Sequence, residues 1–522
     1  MPKHKFSNHL YSRLHAEYQS VTLKKNIVAS YASQIYVTVI GIALVPLYIK
    51  HMGVEAYGLV GFFAMLQVWF NLLDLGLTPT IARESARYWG GAITPLAYRQ
   101  LMRSLTMIFL AIALLGGYIL WLFSPEIAMR WLNANDLSQS VLIFCIQVMA
   151  LCVAMRWMCG LFRGVITGAE RLVWLSGYNA TIATLRFVLV FVSMAVWGYT
   201  PKVFFLHQLG VACVELSALY RYSGSLLPFL DQVDIERIGW SLSPVKELLK
   251  FSLGVGLSSS VWVLVTQTDK LILSGLLPLS EYGYFTLAVL VANGILILSG
   301  PITTSITPRL TRLYAEKKYQ EFTSLYRQGT QLVVVIAGAA AITIAFFSKQ
   351  LLLAWTGDEE LAKKAALILQ LYAIGNGLLV VSSYPYLLQY AKGNLKYHSI
   401  GNILTTLILI PCIIYFALKY GAIGAAWTWM SFHLFGLLLW SAYVHGKLQP
   451  GLHKIWIFDD ILKIVIPTII AAILLNIILK NDLSRIESTE IVVLATILIL
   501  TVAILSSSNA RLYVFRFCGL RN

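Results

Sequence analysis

Seven ionisable side chains stand inside or at the ends of stretches that are otherwise apolar: Asp74, Arg156, Arg186, His207, Glu215, Asp269 and Lys270. A charge near the centre of a bilayer costs at least about 2.5–3.5 kcal/mol, so such a residue faces a cavity or a partner. The two arginines suggest one kind of chemistry. A guanidinium stays charged when partly desolvated, and its fork meets phosphate oxygens two at a time. Arg186 shares a small, polar helix face with Asn179, Ala183 and Ser193. Arg156 falls between Cys152 and Cys159, in a small-residue row suited to helix packing. Arg156 and Arg186, on consecutive antiparallel helices with Asn179 at hand, are read as one cationic patch facing water and an anion. The competing reading neutralises each arginine with an acid or lets it reach the headgroups.

Glu215 is the leading acid of the same region, with His207 two turns before it. It either pairs with Arg186 or takes up a coupling proton, and both readings stay open. His207 is read as a satisfied polar residue. Asp74 closes a stripe of Gln67, Asn71 and Thr78, and Asp269 one of Trp262 and Thr266. Both acids are placed near an interface, where a cap or local ion pair competes with ion coupling. The second half has no deep charge comparable to Arg186; Asn293, Asn376, Ser383 and Asn402 are milder. The anion site is therefore expected in the first half.

Other chemistries find little support. The six cysteines, Cys145, Cys152, Cys159, Cys213, Cys412 and Cys518, form no CxxC pair and read as small membrane residues. No GxxxxGK[ST] and no strand-linked GxGxxG occurs, so no nucleotide site and no cofactor are expected. The net charge of +16 belongs to no compact basic domain interleaved with aromatics, so nucleic acid is not an expected partner. Lys and Arg in a membrane chain instead set topology and contact anionic phospholipids.

These residues must be held by elements the composition already restricts. The 522 residues are 58% hydrophobic and 12% charged, against roughly 25% charged in a soluble chain. So few charges cannot cover a soluble surface this large, whereas lipid supplies an apolar solvent. Crossing about 30 Å of hydrocarbon takes roughly 20 apolar residues, and lipid admits only helices or closed barrels. Barrel-type alternation is absent. Fourteen segments qualify as helical spans: 27–49, 57–79, 104–123, 139–160, 174–196, 202–222, 251–273, 283–306, 328–347, 363–388, 400–418, 421–443, 461–479 and 489–508. Twelve remain if two weak spans fail. With the N-terminus inside, most of the 40 lysines and arginines fall on the cytoplasmic side, which puts both termini in the cytoplasm. Residues 1–26 are polar and basic, so no cleavable signal peptide is expected ahead of the first span. Pro46, Pro79, Pro301, Pro308, Pro385, Pro411 and Pro467 mark expected kinks.

A weak repeat accompanies the spans. Glu55-Ala56-Tyr57-Gly58 opens the second and Glu281-Tyr282-Gly283 the eighth, and each span runs on to Thr-Pro: Thr78-Pro79 and Thr307-Pro308. Parallel repeats of this kind are a transporter signature. The segment Leu73-Asp74-Leu75-Gly76-Leu77-Thr78-Pro79-Thr80-Ile81-Ala82-Arg83 is the most distinctive. With Thr268-Asp269-Lys270-Leu271-Ile272-Leu273 and Tyr420-Gly421-Ala422-Ile423-Gly424-Ala425-Ala426, it resembles the O-antigen and polysaccharide flippases of the multidrug/oligosaccharidyl-lipid/polysaccharide exporter superfamily.

That resemblance implies an all-α polytopic membrane protein with two pseudo-symmetric six-helix lobes plus two C-terminal helices. The expected divisions are residues 1–222, 223–450 and 451–522. It implies an undecaprenyl-pyrophosphate-linked oligosaccharide as cargo, moved from the cytoplasmic to the periplasmic leaflet of a bacterial inner membrane. Alternating access, a coupling proton or sodium ion, and a polysaccharide polymerase and ligase complex as partner complete the expectation. Arg156, Arg186 and Asn179 would bind the cargo, and Glu215, Asp74 and Asp269 are the candidates for ion coupling. The rivals are a multidrug exporter, which calls for an acid-rich cavity, and a peptidoglycan lipid-intermediate flippase. A membrane glycosyltransferase would require a catalytic acid/base pair and usually a sizeable loop.

Overall fold

The computed structural model describes residues 25, 28–89, 91–228, 243–478 and 484–511, some by backbone alone. Helices account for nearly all of it. The chain divides into two compact units, Met1–Ala56 with Phe62–Val263, and Tyr57–Gly61 with Leu264–Asn522.

In the first unit, α1 (Val28–Met52) stops at Gly53, whose φ of +86° only glycine adopts without strain. Next, α2 (Val54–Asp74) ends in a 3₁₀ turn, after which Leu75 and Gly76 turn the chain with φ of +45° and +76°. The second predicted span, 57–79, is thus corrected: it ends at Asp74, and Thr78 belongs to the next helix. That helix, α3 (Leu77–Trp89), is amphipathic and buries Leu77, Ile81 and Glu84. Four longer helices follow: α4 (Pro95–Leu122), α5 (Gln139–Gly168), α6 (Leu172–Trp197) and α7 (Pro201–Ser225). Proline at the first position and a threonine cap start both α4 and α7.

Helix α5 runs eight residues past its predicted end at 160, and three glycines explain why it can. Gly160, Gly164 and Gly168 recur every four residues and form a flat strip against α3. A Cβ on Gly168 would lie 2.3 Å from the Ala82 carbonyl and 2.4 Å from the Ser85 Cβ. Small residues at this spacing let membrane helices approach closely. Phe109, Trp157, Phe162 and Val165 fill the adjoining core. The repeat residue Glu55 braces a loop. Its carboxylate accepts the backbone N–H of Asn135 and Asp136, both at 2.8 Å, and fixes the connection between α4 and α5.

The second unit holds α8 (Ser243–Leu276, which enters it at Leu264), α9 (Leu279–Ala315), α10 (Tyr319–Phe346), α11 (Glu359–Ala391), α12 (Lys396–Leu448), α13 (Leu452–Ile478) and α14 (Arg485–Ser506). Asp358 caps α11, and a Ser484/Glu487 capping box starts α14. At 53 residues α12 contains two predicted spans. Its break falls at Gly421 (φ +61°, ψ −144°), although Pro411 lies inside it too. The last two helices share one core with α10 and α11, through Trp456, Ile461, Ala495 and Ile499. Among the described residues, twelve helices are long and apolar enough to cross a membrane, the bent α12 counting once. The protein is a multi-pass membrane protein.

Candidate functional site

Four helices of the first unit bring their polar residues to one point. Glu215 on α7 is the centre, only 2% exposed. Arg163 on α5 donates Nη2–H to its Oε1 at 2.9 Å, and Arg186 on α6 donates Nη2–H to its Oε2. Arg156, one heptad before Arg163, holds Nε 4.0 Å from the same Oε2. Asn179 on α6 accepts Arg163 Nη1–H at 2.5 Å. Gln67 on α2 and Gln208 on α7 accept the two terminal nitrogens of Arg156 at 3.0 and 2.6 Å. Gln208 also donates to the Arg186 carbonyl at 3.0 Å, which ties α6 to α7 at this depth. Aromatic rings complete the lining, with Arg156 5.1 Å from the Phe63 ring centroid and Arg163 5.9 Å from that of Tyr178.

Three guanidiniums and one carboxylate leave two positive charges in excess among the described residues. Donors are in excess as well. The Nε–H groups of Arg156 and Arg186 are buried and have no hydrogen-bond acceptor among those residues. Arg163 and Arg186 keep 31% and 23% of their side chains exposed, against 9% for Arg156. Such a cluster, over-supplied with cationic donors and partly open, has the chemistry to accept anionic oxygens.

The four first-half residues Arg156, Arg186, Asn179 and Glu215 are therefore brought together. One expectation needs correction and one open reading is decided. Arg186 is ion-paired with Glu215, the less costly arrangement once both leave bulk water, and it keeps 23% of its side chain exposed. Arg163 belongs to the cluster and was missed, since a span ending at 160 placed it in a loop. Its position seven residues after Arg156, on the glycine-marked continuation of α5, was the available signal. His207 is fully satisfied: Nε2–H donates to the Leu185 carbonyl and Nδ1 faces the Ser193 hydroxyl, both at 2.8 Å.

The remaining acids lie elsewhere. Asp74 accepts Thr78 Oγ1–H at 2.6 Å and Thr78 N–H at 3.1 Å, and so holds the start of α3. Asp269 is 1% exposed; the Tyr372 hydroxyl and the Lys270 backbone N–H donate to it, and the Lys270 ammonium lies 3.3 Å away as a local ion pair. The second unit also holds a charged pair with a buried acid, near the ends of two predicted spans rather than in mid-span. Asp460, fully buried, accepts Arg327 Nε–H at 2.7 Å and Nη2–H at 3.1 Å. Both residues sit one position outside the predicted spans 328–347 and 461–479.

Comparison with known proteins agrees with this architecture. A family model described as polysaccharide biosynthesis protein matches residues 23–314, more than half of the chain, and the MatE model matches residues 255–412. A Shigella flexneri protein assigned to O-antigen transport is 20% identical over 396 residues, covering 75% of this chain and 90% of that one. The capsular polysaccharide biosynthesis protein CapF of Staphylococcus aureus is 28% identical over 194 residues, 36% of this chain and 47% of its own. In fold, the chain is similar to the lipid II flippase MurJ in an inward closed conformation (TM-score 0.69, 15% identity, 91% of this chain and 97% of that one). It is also similar to an inward-facing multidrug transporter of the MATE family (TM-score 0.65, 15% identity, 80% and 96%). The chain belongs to the polysaccharide biosynthesis protein family, within the multidrug/oligosaccharidyl-lipid/polysaccharide exporter superfamily.

Proposed function

We propose that this protein is a flippase that carries an undecaprenyl-pyrophosphate-linked oligosaccharide from the cytoplasmic to the periplasmic leaflet of a bacterial inner membrane. One observation carries the reading: Arg156, Arg163 and Arg186 surround a single buried carboxylate. In the unloaded protein Glu215 acts as an internal anion that keeps the three arginines oriented. An arriving diphosphate offers more oxygens and more charge, and it takes over Arg163 and Arg186, the two more exposed partners, as well as the spare Nε–H groups. Exchange of one anion for another gives the cargo a differential affinity for one conformation, which is the only way a ligand can bias a conformational equilibrium. The transport cycle is alternating access. Its direction comes from counter-movement of a proton or sodium ion, or from consumption of the cargo on the far side. A polymerase and ligase complex would be the consumer.

A multidrug exporter for cationic drugs is disfavoured by the excess of positive charge. A membrane-embedded glycosyltransferase is disfavoured because this carboxylate is bound by arginines and has no acid/base partner among the described residues. The test deletes the gene and measures lipid-linked repeat units on the cytoplasmic leaflet, where they accumulate if the reading holds. Complementation with Arg186→Ala, at matched protein level, then loses most activity, because one charge-assisted phosphate contact is worth about 10- to 100-fold in affinity. Arg186→Lys recovers only part, as an ammonium cannot bind bidentately. Full activity of the alanine variant removes Arg186 from the site.

A further inference from the structure

The second unit carries an open cavity of about 630 Å³, built from the start of α10, the end of α12 and the segment after α14. Its volume lies in the range of small-molecule sites, roughly 300–1,000 Å³. Its walls are almost wholly uncharged and present carboxamides and hydroxyls, including Gln320, Ser324, Gln328, Gln449 and Asn509. Arg327 is the charged exception, and it is already occupied: Asp460 binds it through two nitrogens and Asp459 lies 3.8 Å away. An arginine already held by carboxylates in this way has little left to offer phosphate or anionic headgroups.

The floor is rigid. Gln331, 4% exposed, donates to Asp460 at 2.7 Å, while its oxygen accepts from Ser507 at 3.0 Å and from Ser508 and the Asn509 backbone at 3.3 Å. Gln449 is held by donating to the Thr323 hydroxyl at 2.6 Å, and Gln328 by donating to Ser324 at 3.1 Å. Among the described residues, neither carboxamide oxygen has a side-chain hydrogen bond of its own. Carboxamides both donate and accept, as does every hydroxyl of a sugar. Tyr319 also lines the cavity and is 54% exposed.

We infer that this cavity is a binding site for a neutral, polyhydroxylated ligand of the saccharide class. The inference does not depend on the transport reading, because none of these groups belongs to the arginine cluster.

The test uses full-length protein in phosphatidylcholine nanodiscs and saturation-transfer NMR, with galactose, N-acetylglucosamine and rhamnose as separate probes. At least one sugar should bind saturably. Gln320→Leu and Asn509→Leu should weaken it about tenfold each, as loss of a ligand hydrogen bond does, with an unchanged melting midpoint. Gln320 is exposed, so its variant decides the matter if Asn509→Leu folds poorly. Arg186→Ala should leave sugar binding intact, so failure here and failure of the transport reading appear in different variants. No binding of any of the three sugars up to their solubility limits overturns the proposal. So does competition by inorganic phosphate, or dependence on phosphatidylglycerol in the disc, either of which marks an anion site.

Discussion

Replacing Glu215 by glutamine changes one charge and almost no volume, and the geometry around it predicts a large effect. The carboxylate receives Arg163 at 2.9 Å and also Arg186, with Arg156 at 4.0 Å. A carboxamide offers one acceptor oxygen and one N–H₂ group, so one guanidinium loses its acceptor and meets a donor. The local balance rises from two positive charges to three. Removing one partner of a buried ion pair costs about 3–5 kcal/mol. Because Arg163 and Arg186 are 31% and 23% exposed, solvent screening puts the expected loss near the bottom of that range, about 3 kcal/mol.

Thermal unfolding in nanodiscs reads this as a lower melting midpoint. A cycle of Glu215→Gln, Arg163→Gln and the double variant should show coupling of about 1–3 kcal/mol, since each single change leaves the other group unpaired. Added inorganic pyrophosphate should raise the midpoint of Glu215→Gln more than that of the wild type, because the variant lacks its internal anion. An unchanged midpoint, additive energies and no anion response would together refute the internal-anion mechanism.

Three further outcomes follow from single contacts. Asp74→Ala removes the acceptor of both Thr78 bonds and should cost about 1 kcal/mol as a lost cap, visible as faster proteolysis near α3. If it instead alters the ion dependence of transport at unchanged stability, Asp74 is a coupling site. Gly168→Ala places a Cβ 2.3 Å from the Ala82 carbonyl and should cost about 1–3 kcal/mol by overpacking, whereas Gly177→Ala, where a Cβ meets nothing within 4 Å, should be neutral in the same melting assay. Asp460→Asn breaks the bidentate pair with Arg327 and should cost at most about 3–5 kcal/mol, with Asp459 able to recover part; increased amide exchange at the start of α13 is the expected signature.

Composition and apolar runs already determined the membrane-spanning, all-helical character, because a chain with so few charges has no other way to satisfy its backbone in lipid. The sequence also placed the main polar cluster in the first half, since Arg156, Arg186, Glu215 and Asn179 are polar residues in apolar surroundings. Hydropathy could not say where each helix stops. Arg163, Arg327 and Asp460 lie within three residues of a predicted boundary, and a window that averages over a span reads a terminal charge as loop. Helix ends are instead decided by contacts between helices, such as the glycine strip that lets α5 continue along α3 past Arg163. Partnership was equally beyond one-dimensional reading. Glu215 is 29 residues from Arg186 and 52 from Arg163, and only the packing of α5, α6 and α7 makes one carboxylate serve both. Desolvation is the physical reason: charges that share a low-dielectric interior seek each other, and the identity of the nearest partner is a property of the bundle.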